Sequence, residues 1–145
     1  MAYRSTDGAR PMTTTARAIV IELPLPPRAL SSNGSHGHWS KKATTAKGYR
    51  KLCQIIGLQS RPPRWLADCK MHVSYTFGIK GARTLGLYCP RDVSNALAAF
   101  KAGQDGLVDA GILVDDSARW MQLGTVTIDA TVGPFVRVTV EPCDS

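Results

Sequence analysis

No run of apolar residues in this sequence is long enough to cross a bilayer, and Met1 to Ala16 lacks the apolar core of a secretion signal. A cytoplasmic protein with no membrane partner is the expectation from both absences. The cysteines, Cys53, Cys69, Cys89 and Cys143, are scattered with no Cys-x-x-Cys pair. That excludes the common zinc spacings and a dense disulfide framework, and leaves thiols that are buried or idle. Histidine is scarce. His36 and His38 form a metal-like pair in spacing, yet no third ligand lies near them, so a surface loop is the simpler reading. There is no internal repeat. Acidic residues are scarce in one half only: Met1 to Arg64 carries eleven Lys or Arg against Asp7 and Glu22, whereas the remainder carries seven basic and nine acidic residues. The total is a formal charge of +7.

A basic half beside an acidic half suits a protein that holds phosphates with one and a metal ion with the other. Basic patches drive salt-dependent, sequence-independent binding to nucleic acid. The 145 residues fit one domain with a substantial core. Residues 1–16 are polar and aperiodic and are read as a flexible arm, with the folded domain over 17–145.

Alternation around Ile19, Ile21 and Leu23 predicts a strand over Arg17 to Leu25, ended by Pro24, Pro26 and Pro27. Arg28 to Trp39 is a Ser/Asn/Gly/His loop. Thr44 to Ser60 has helical spacing, with Ala46, Tyr49, Cys53 and Ile56 inward and Leu52 and Ile55 widening the apolar face. Lys47, Arg50 and Lys51 share another face of that helix, with Lys41 and Lys42 just upstream. Such a face suits phosphates, which need charge rather than base-specific geometry; an ordinary solvated face is the alternative. Cys69 to Ile79 alternates most clearly of all and is a strand, with His72 on its polar side. Gly78 to Leu87 is a glycine-bearing connector whose Arg83, with Arg91, is placed to present charge to a phosphate. A second helix begins at Ser94 or Asn95 as cap and ends at Gly111. Trp120 to Ala130 and Phe135 to Glu141 alternate and are expected to pair as a carboxy-terminal hairpin. The sum is an α+β domain: a mixed sheet of about four strands with two main helices.

Carboxylates stand at both ends of the second helix, Asp92 before it and Asp115 and Asp116 after it. About fourteen helical residues span roughly 20 Å, so these ends meet only if Ile112-Leu113-Val114 folds back along a core. Hard cations such as magnesium take carboxylate oxygens, and nucleases use them on phosphodiesters. The plainer reading is that Asp92 caps the helix and the aspartate pair forms a turn.

Arg91-Asp92-x-Ser94-Asn95, Lys101, Asp105-Gly106-Leu107, Ala110-Gly111 and Val114-Asp115-Asp116 resemble, in order, the signature of RusA-type Holliday junction resolvases. That signature reads Asp-x-Asp-Asn, a lysine, Asp-x-Leu, a small residue with Gly, then Asp-Asp. Leu23-Pro24-Leu25-Pro26-Pro27 with Asn33 is similar to the family's amino-terminal Pro-Pro-x-x-Asn stretch. The wider gap between Asn95 and Lys101 resembles phage members. The resemblance implies a homodimer that binds branched DNA, a four-way junction, and makes paired nicks with magnesium or manganese, in a bacterial cell or phage-infected host. It implies Asp92 and Asp116 as metal ligands, Asp115 and Asp105 as neighbours that ligate or orient water, and Lys101 as the lysine on the phosphate. Arg91, Arg83, Asn33 and the lysine-arginine face then contact DNA.

One position departs. Ser94 stands where the family has its second aspartate. Three readings stay open: Ser94 is a neutral metal ligand, another carboxylate such as Asp105 or Asp115 replaces the missing one, or the chain binds branched DNA without cutting it.

Overall fold

A computed structural model describes residues 18–30, 39–60, 70–113 and 121–143, with the side chains of 39–41 excepted. The arm over 1–16, Asn33, His36, His38, Cys69, Asp115 and Asp116 lie outside the described residues. The described chain runs β1 (Ile19–Leu23), a 3-10 turn (Arg28–Leu30), α1 (Trp39–Gln59), β2 (Met71–Gly78), α2 (Val93–Asp109), β3 (Met121–Asp129) and β4 (Phe135–Pro142). The expectation of an α+β domain with a four-stranded mixed sheet and two helices holds.

Alternation decides which side chains are buried. Met71, Val73, Tyr75 and Phe77 of β2 and Val136, Val138 and Val140 of β4 are all at most 1% exposed. They face the helices, whereas His72, Ser74 and Thr76 lie on the opposite, polar face. His72 is half-buried on that polar face, its Nδ1 3.9 Å from a Glu141 oxygen, beyond hydrogen-bond distance.

The strand order is β1-β4-β2-β3. β4 is antiparallel to both β1 and β2, and β2 is parallel to β3, with Met71 opposite Met121. The expected carboxy-terminal hairpin therefore does not form, because β2 lies between β3 and β4. Period-two alternation fixes a strand's faces but not its neighbour. The short link after β3 passes the end of β2, where Lys80 N–H donates to the Val132 carbonyl at 2.9 Å and Gly133 lies against the Gly78 backbone.

Phe100 is the centre of the helix–sheet core. Its ring meets Tyr75 (5.5 Å), Phe77 (6.0 Å) and Tyr49 (6.3 Å), each edge-on, the geometry that ring quadrupoles favour. Gln104, one turn on, accepts from the Tyr75 hydroxyl at 2.8 Å. Advancing along α2 thus retreats along β2, so the helix runs antiparallel to the strand it follows. The Tyr49 hydroxyl donates to the Pro24 carbonyl at 2.6 Å, tying α1 to the end of β1. Burial pushes the Tyr49 hydroxyl pKa up, and the buried Cys53 thiol up to about 12, leaving that cysteine inert at neutral pH.

The two helices lie side by side and parallel. Tyr49 meets Phe100 and Gly103, Cys53 meets Gly106, and Gly57 meets Ala110. Small residues allow this approach: a Cβ on Gly106 would fall against the Arg50 carbonyl oxygen. Leu52 and Ile55, expected to widen the inward face, are instead 42% and 44% exposed. The face that α2 fills is narrower than the apolar stripe of α1.

Candidate functional site

The βαβ unit formed by β2, α2 and β3 determines where the motif residues go. Because α2 runs back antiparallel to β2, its amino end lies at the end where β2 and β3 finish. The 17 residues of α2 hold that end roughly 25 Å from the carboxyl end.

At the amino end, Asp92 is the cap of α2 rather than Ser94 or Asn95. Its backbone is extended (φ −141°, ψ 164°), and its side chain accepts from the Asn95 N–H at 2.8 Å. The Asn95 amide nitrogen donates to the other carboxylate oxygen at 2.9 Å. All three polar residues are competent caps; the extended backbone at 92 selects Asp92, and Asn95 then holds its carboxylate in one orientation. A carboxylate has about four acceptor directions, so two remain on Asp92, which is exposed. Ser94 is exposed in the first turn beside it.

Leading into this cap is a turn with its own closure. Gly86, at φ +72°, donates to the Arg83 carbonyl at 3.1 Å, and Leu87 donates to the Ala82 carbonyl at 2.8 Å. This pair of bonds is a Schellman closure, in which a left-handed residue ends a helical turn at little steric penalty when it is glycine. Ala82 is fully buried, while Lys80, Arg83 and Leu85 are exposed. Arg91 is exposed next to Asp92. Among the described residues, Lys80, Arg83 and Arg91 enter no ion pair. Lys42 and Lys47 enter none either. Continuing the offset by which Cys53 meets Gly106 carries Lys42 level with Asn95, at this same end.

The carboxyl half of α2 is built differently. Arg50 donates from two nitrogens to the two oxygens of Asp109 at 2.7 and 2.9 Å. It also lies 4.0 Å from Asp105, which accepts from Lys101 at 3.1 Å. The bidentate bond from Arg50 holds the Asp109 carboxyl below its usual range, and Asp109 in turn raises the guanidinium pKa. Lys51 adds to the positive field on Asp109. Arg50, read in the sequence as a phosphate contact, is thus a link between α1 and α2. Lys101 stands nine residues beyond Asp92, about two and a half turns along the helix, and is not brought beside it within one chain. Gly111, at φ +82°, closes α2 in a second Schellman pair, Gly111 to Val108 and Ile112 to Leu107, both at 3.0 Å. Leu113 also donates to the Leu107 carbonyl, at 3.3 Å. Ile112 and Leu113 are buried as their apolarity demands, but they fold onto the last turn of the helix instead of running back along it.

Among the described residues no three His, Cys, Asp or Glu side chains converge as a metal site. Asp92, exposed and held in one orientation by a neutral partner, has the exposure and the fixed orientation to serve as one ligand. Two contributors escaped the sequence reading. Asp109 carried no motif signal, and its role follows only from the parallel packing that sets it against Arg50. Lys80 follows the strand directly and became visible once the turn after β2 was seen to be closed.

No helix among the described residues is long and apolar enough to cross a membrane. No family model matches the sequence, and no curated protein matches it.

Proposed function

We propose that this chain is a RusA-type, structure-selective DNA endonuclease that works as a homodimer on four-way junctions and nicks two strands of like polarity. The observation that carries the reading is the amino end of α2: an exposed, oriented carboxylate on Asp92, with Arg91 next to it in the chain and Arg83, Lys80 and Lys42, which like Arg91 enter no ion pair among the described residues, at the same end. The order of the motif blocks supplies the rest.

Asp92, Asp116 and Asp115 are the residues that would hold magnesium or manganese. The exposed oxygens of Asp92 fit such a hard cation; the ion, when bound, supplies charge neutralisation at the phosphate and activation of water. Asn95 fixes the Asp92 carboxylate. Arg91 and Arg83 draw the phosphodiester to it through charge. Two-fold symmetry in a homodimer sets two equal sites against two equivalent strands.

Cleavage of a synthetic four-way junction in magnesium or manganese, set beside binding in EDTA, tests the reading directly. Metal-dependent nicks on opposed strands are expected. Binding with no cleavage in either metal would favour the second reading, a protein that holds branched DNA without cutting it, to which Ser94 points. The substitution Ser94→Asp restores the family's carboxylate. If Ser94 faces the ion, the variant cleaves faster than the natural chain at limiting magnesium.

A further inference from the structure

We propose that the turn between β2 and α2 is a DNA wedge, with Leu85 inserting where base stacking is interrupted and Lys80, Arg83 and Arg91 gripping the flanking phosphates. This deepens the endonuclease reading and rests on it.

Leu85 is 65% exposed, the most exposed large apolar side chain among the described residues. A leucine on a loose loop would need no comment, since scattered apolar residues are ordinary on protein surfaces. This one is held. Besides the Schellman closure at Gly86, its own N–H donates to the Gly81 carbonyl at 3.1 Å, and Ala82 N–H donates to the Ile79 carbonyl at 3.0 Å. The base of the turn is fixed to the sheet through Ile79 and Lys80, which donate to the carbonyls of Asp129 (3.0 Å) and Val132 (2.9 Å). An apolar tip is thereby presented on a rigid support.

The surrounding charge selects the partner. Lys80, Arg83 and Arg91 have no ion-pair partner among the described residues. The described acids at this end, Asp92 and Asp129, are hydrogen-bonded by the neutral Asn95 and Thr131 and form no ion pair with these cations. An apolar point with Lys80 and Arg83 on its own turn and Arg91 at the exit from it is complementary to a polyanion that also offers apolar surface. Nucleic acid with an open base step has both, and apolar side chains inserted between base steps are a recurring device in DNA bending. An anionic bilayer also has both, but anchoring there takes a broad apolar face, and Leu85 with the 39% exposed Leu87 is a point.

The test uses the full chain and the variants Leu85→Ser and Arg83→Glu in EDTA, on a four-way junction and a matched duplex carrying 2-aminopurine at the branch point. The natural chain should brighten 2-aminopurine in the junction. Leu85→Ser should lose that signal and about tenfold in preference for junction over duplex, while keeping duplex affinity and its salt dependence. Arg83→Glu should weaken both complexes and reduce the salt slope by about one or more. Natural brightening and preference in both variants would overturn the wedge while leaving the endonuclease reading standing. Failure of the natural chain to bind any DNA would sink both together. Tighter binding to phosphatidylserine vesicles than to the junction, lost in Leu85→Ser, would assign the tip to membranes and overturn the proposal.

Discussion

The two ends of α2 use charge in opposite ways. At the carboxyl half each described acid has its cation: Arg50 grips Asp109 with two bonds, and Lys101 holds Asp105. The helix there closes on buried Leu107 and Ile112 and touches α1 through Gly57 and Gly106. At the amino end the balance is left open: Asp92 is held by a neutral asparagine, and Lys80, Arg83 and Arg91 have no ion-pair partner among the described residues. Charge satisfied internally joins two helices; charge left unsatisfied is available to a partner. Hence the carboxyl half should answer to stability measurements and the amino end to binding and cleavage.

The largest effect belongs to the packed half. Gly106→Val would drive side-chain atoms into the Arg50 carbonyl, and backbone cannot step aside as a flexible side chain can. Overpacking of this kind costs about 3 kcal/mol, which lowers the melting temperature by roughly 6–12 °C for a domain of this size. Arg91→Ala, at the open end, should fall within about 0.5 kcal/mol of the natural chain. Equal losses in thermal denaturation would erase the distinction between the ends.

Next comes Asp92→Asn, which separates capping from chemistry. Asparagine caps a helix about as well as aspartate, so the melting temperature should hold. Junction cleavage should fall by about a hundredfold or more if the carboxylate holds the ion. Unchanged cleavage would reduce Asp92 to a cap. The same variant probes the dimer. A homodimer in which each copy lends one of Asp92 and Asp116 to a shared ion gives the variant a second use. Mixed dimers of Asp92→Asn and Asp116→Asn chains then contain one intact site and regain nicking, which ligands drawn from a single chain would not allow.

How far the sequence foretold this molecule follows the same division. The alternation of β2 and the inward spacing of Tyr49 and Cys53 were legible, because burial leaves a periodic mark. The start of α1 at Trp39 was not, since its apolar repeat begins only at Ala46. Partnership was the harder matter. Nothing local says that β4 pairs with β1 and β2 instead of β3, or that Arg50 turns from Lys47 and Lys51 to meet Asp109. Each depends on an element distant in the chain. At the candidate site, the motif put Arg91 and Asp92 together and the connector reading set Arg83 with Arg91, but the motif also grouped Lys101 and Asp105 with Asp92, and helix geometry sets those two further along.

The smallest expected effect tests whether the Arg50–Asp109 link contributes as a charge pair. Arg50 holds the Asp109 carboxyl below its usual value near 3.8. A carboxyl depressed in the folded state adds stability above its unfolded pKa and loses it as pH falls through the folded one. The natural chain should therefore exceed Asp109→Asn in urea midpoint at pH 7, and the gap should narrow as pH falls below the usual carboxyl range and close once the Asp109 carboxyl is protonated in the folded chain. Both partners are open to solvent, so screening keeps the gap small, and 1 M salt should shrink it further at pH 7. A gap of the same size at pH 2 and pH 7 would mean that Asp109 joins the helices by shape and neutral hydrogen bonding. The contrast between the ends of α2 would then be one of packing more than of charge.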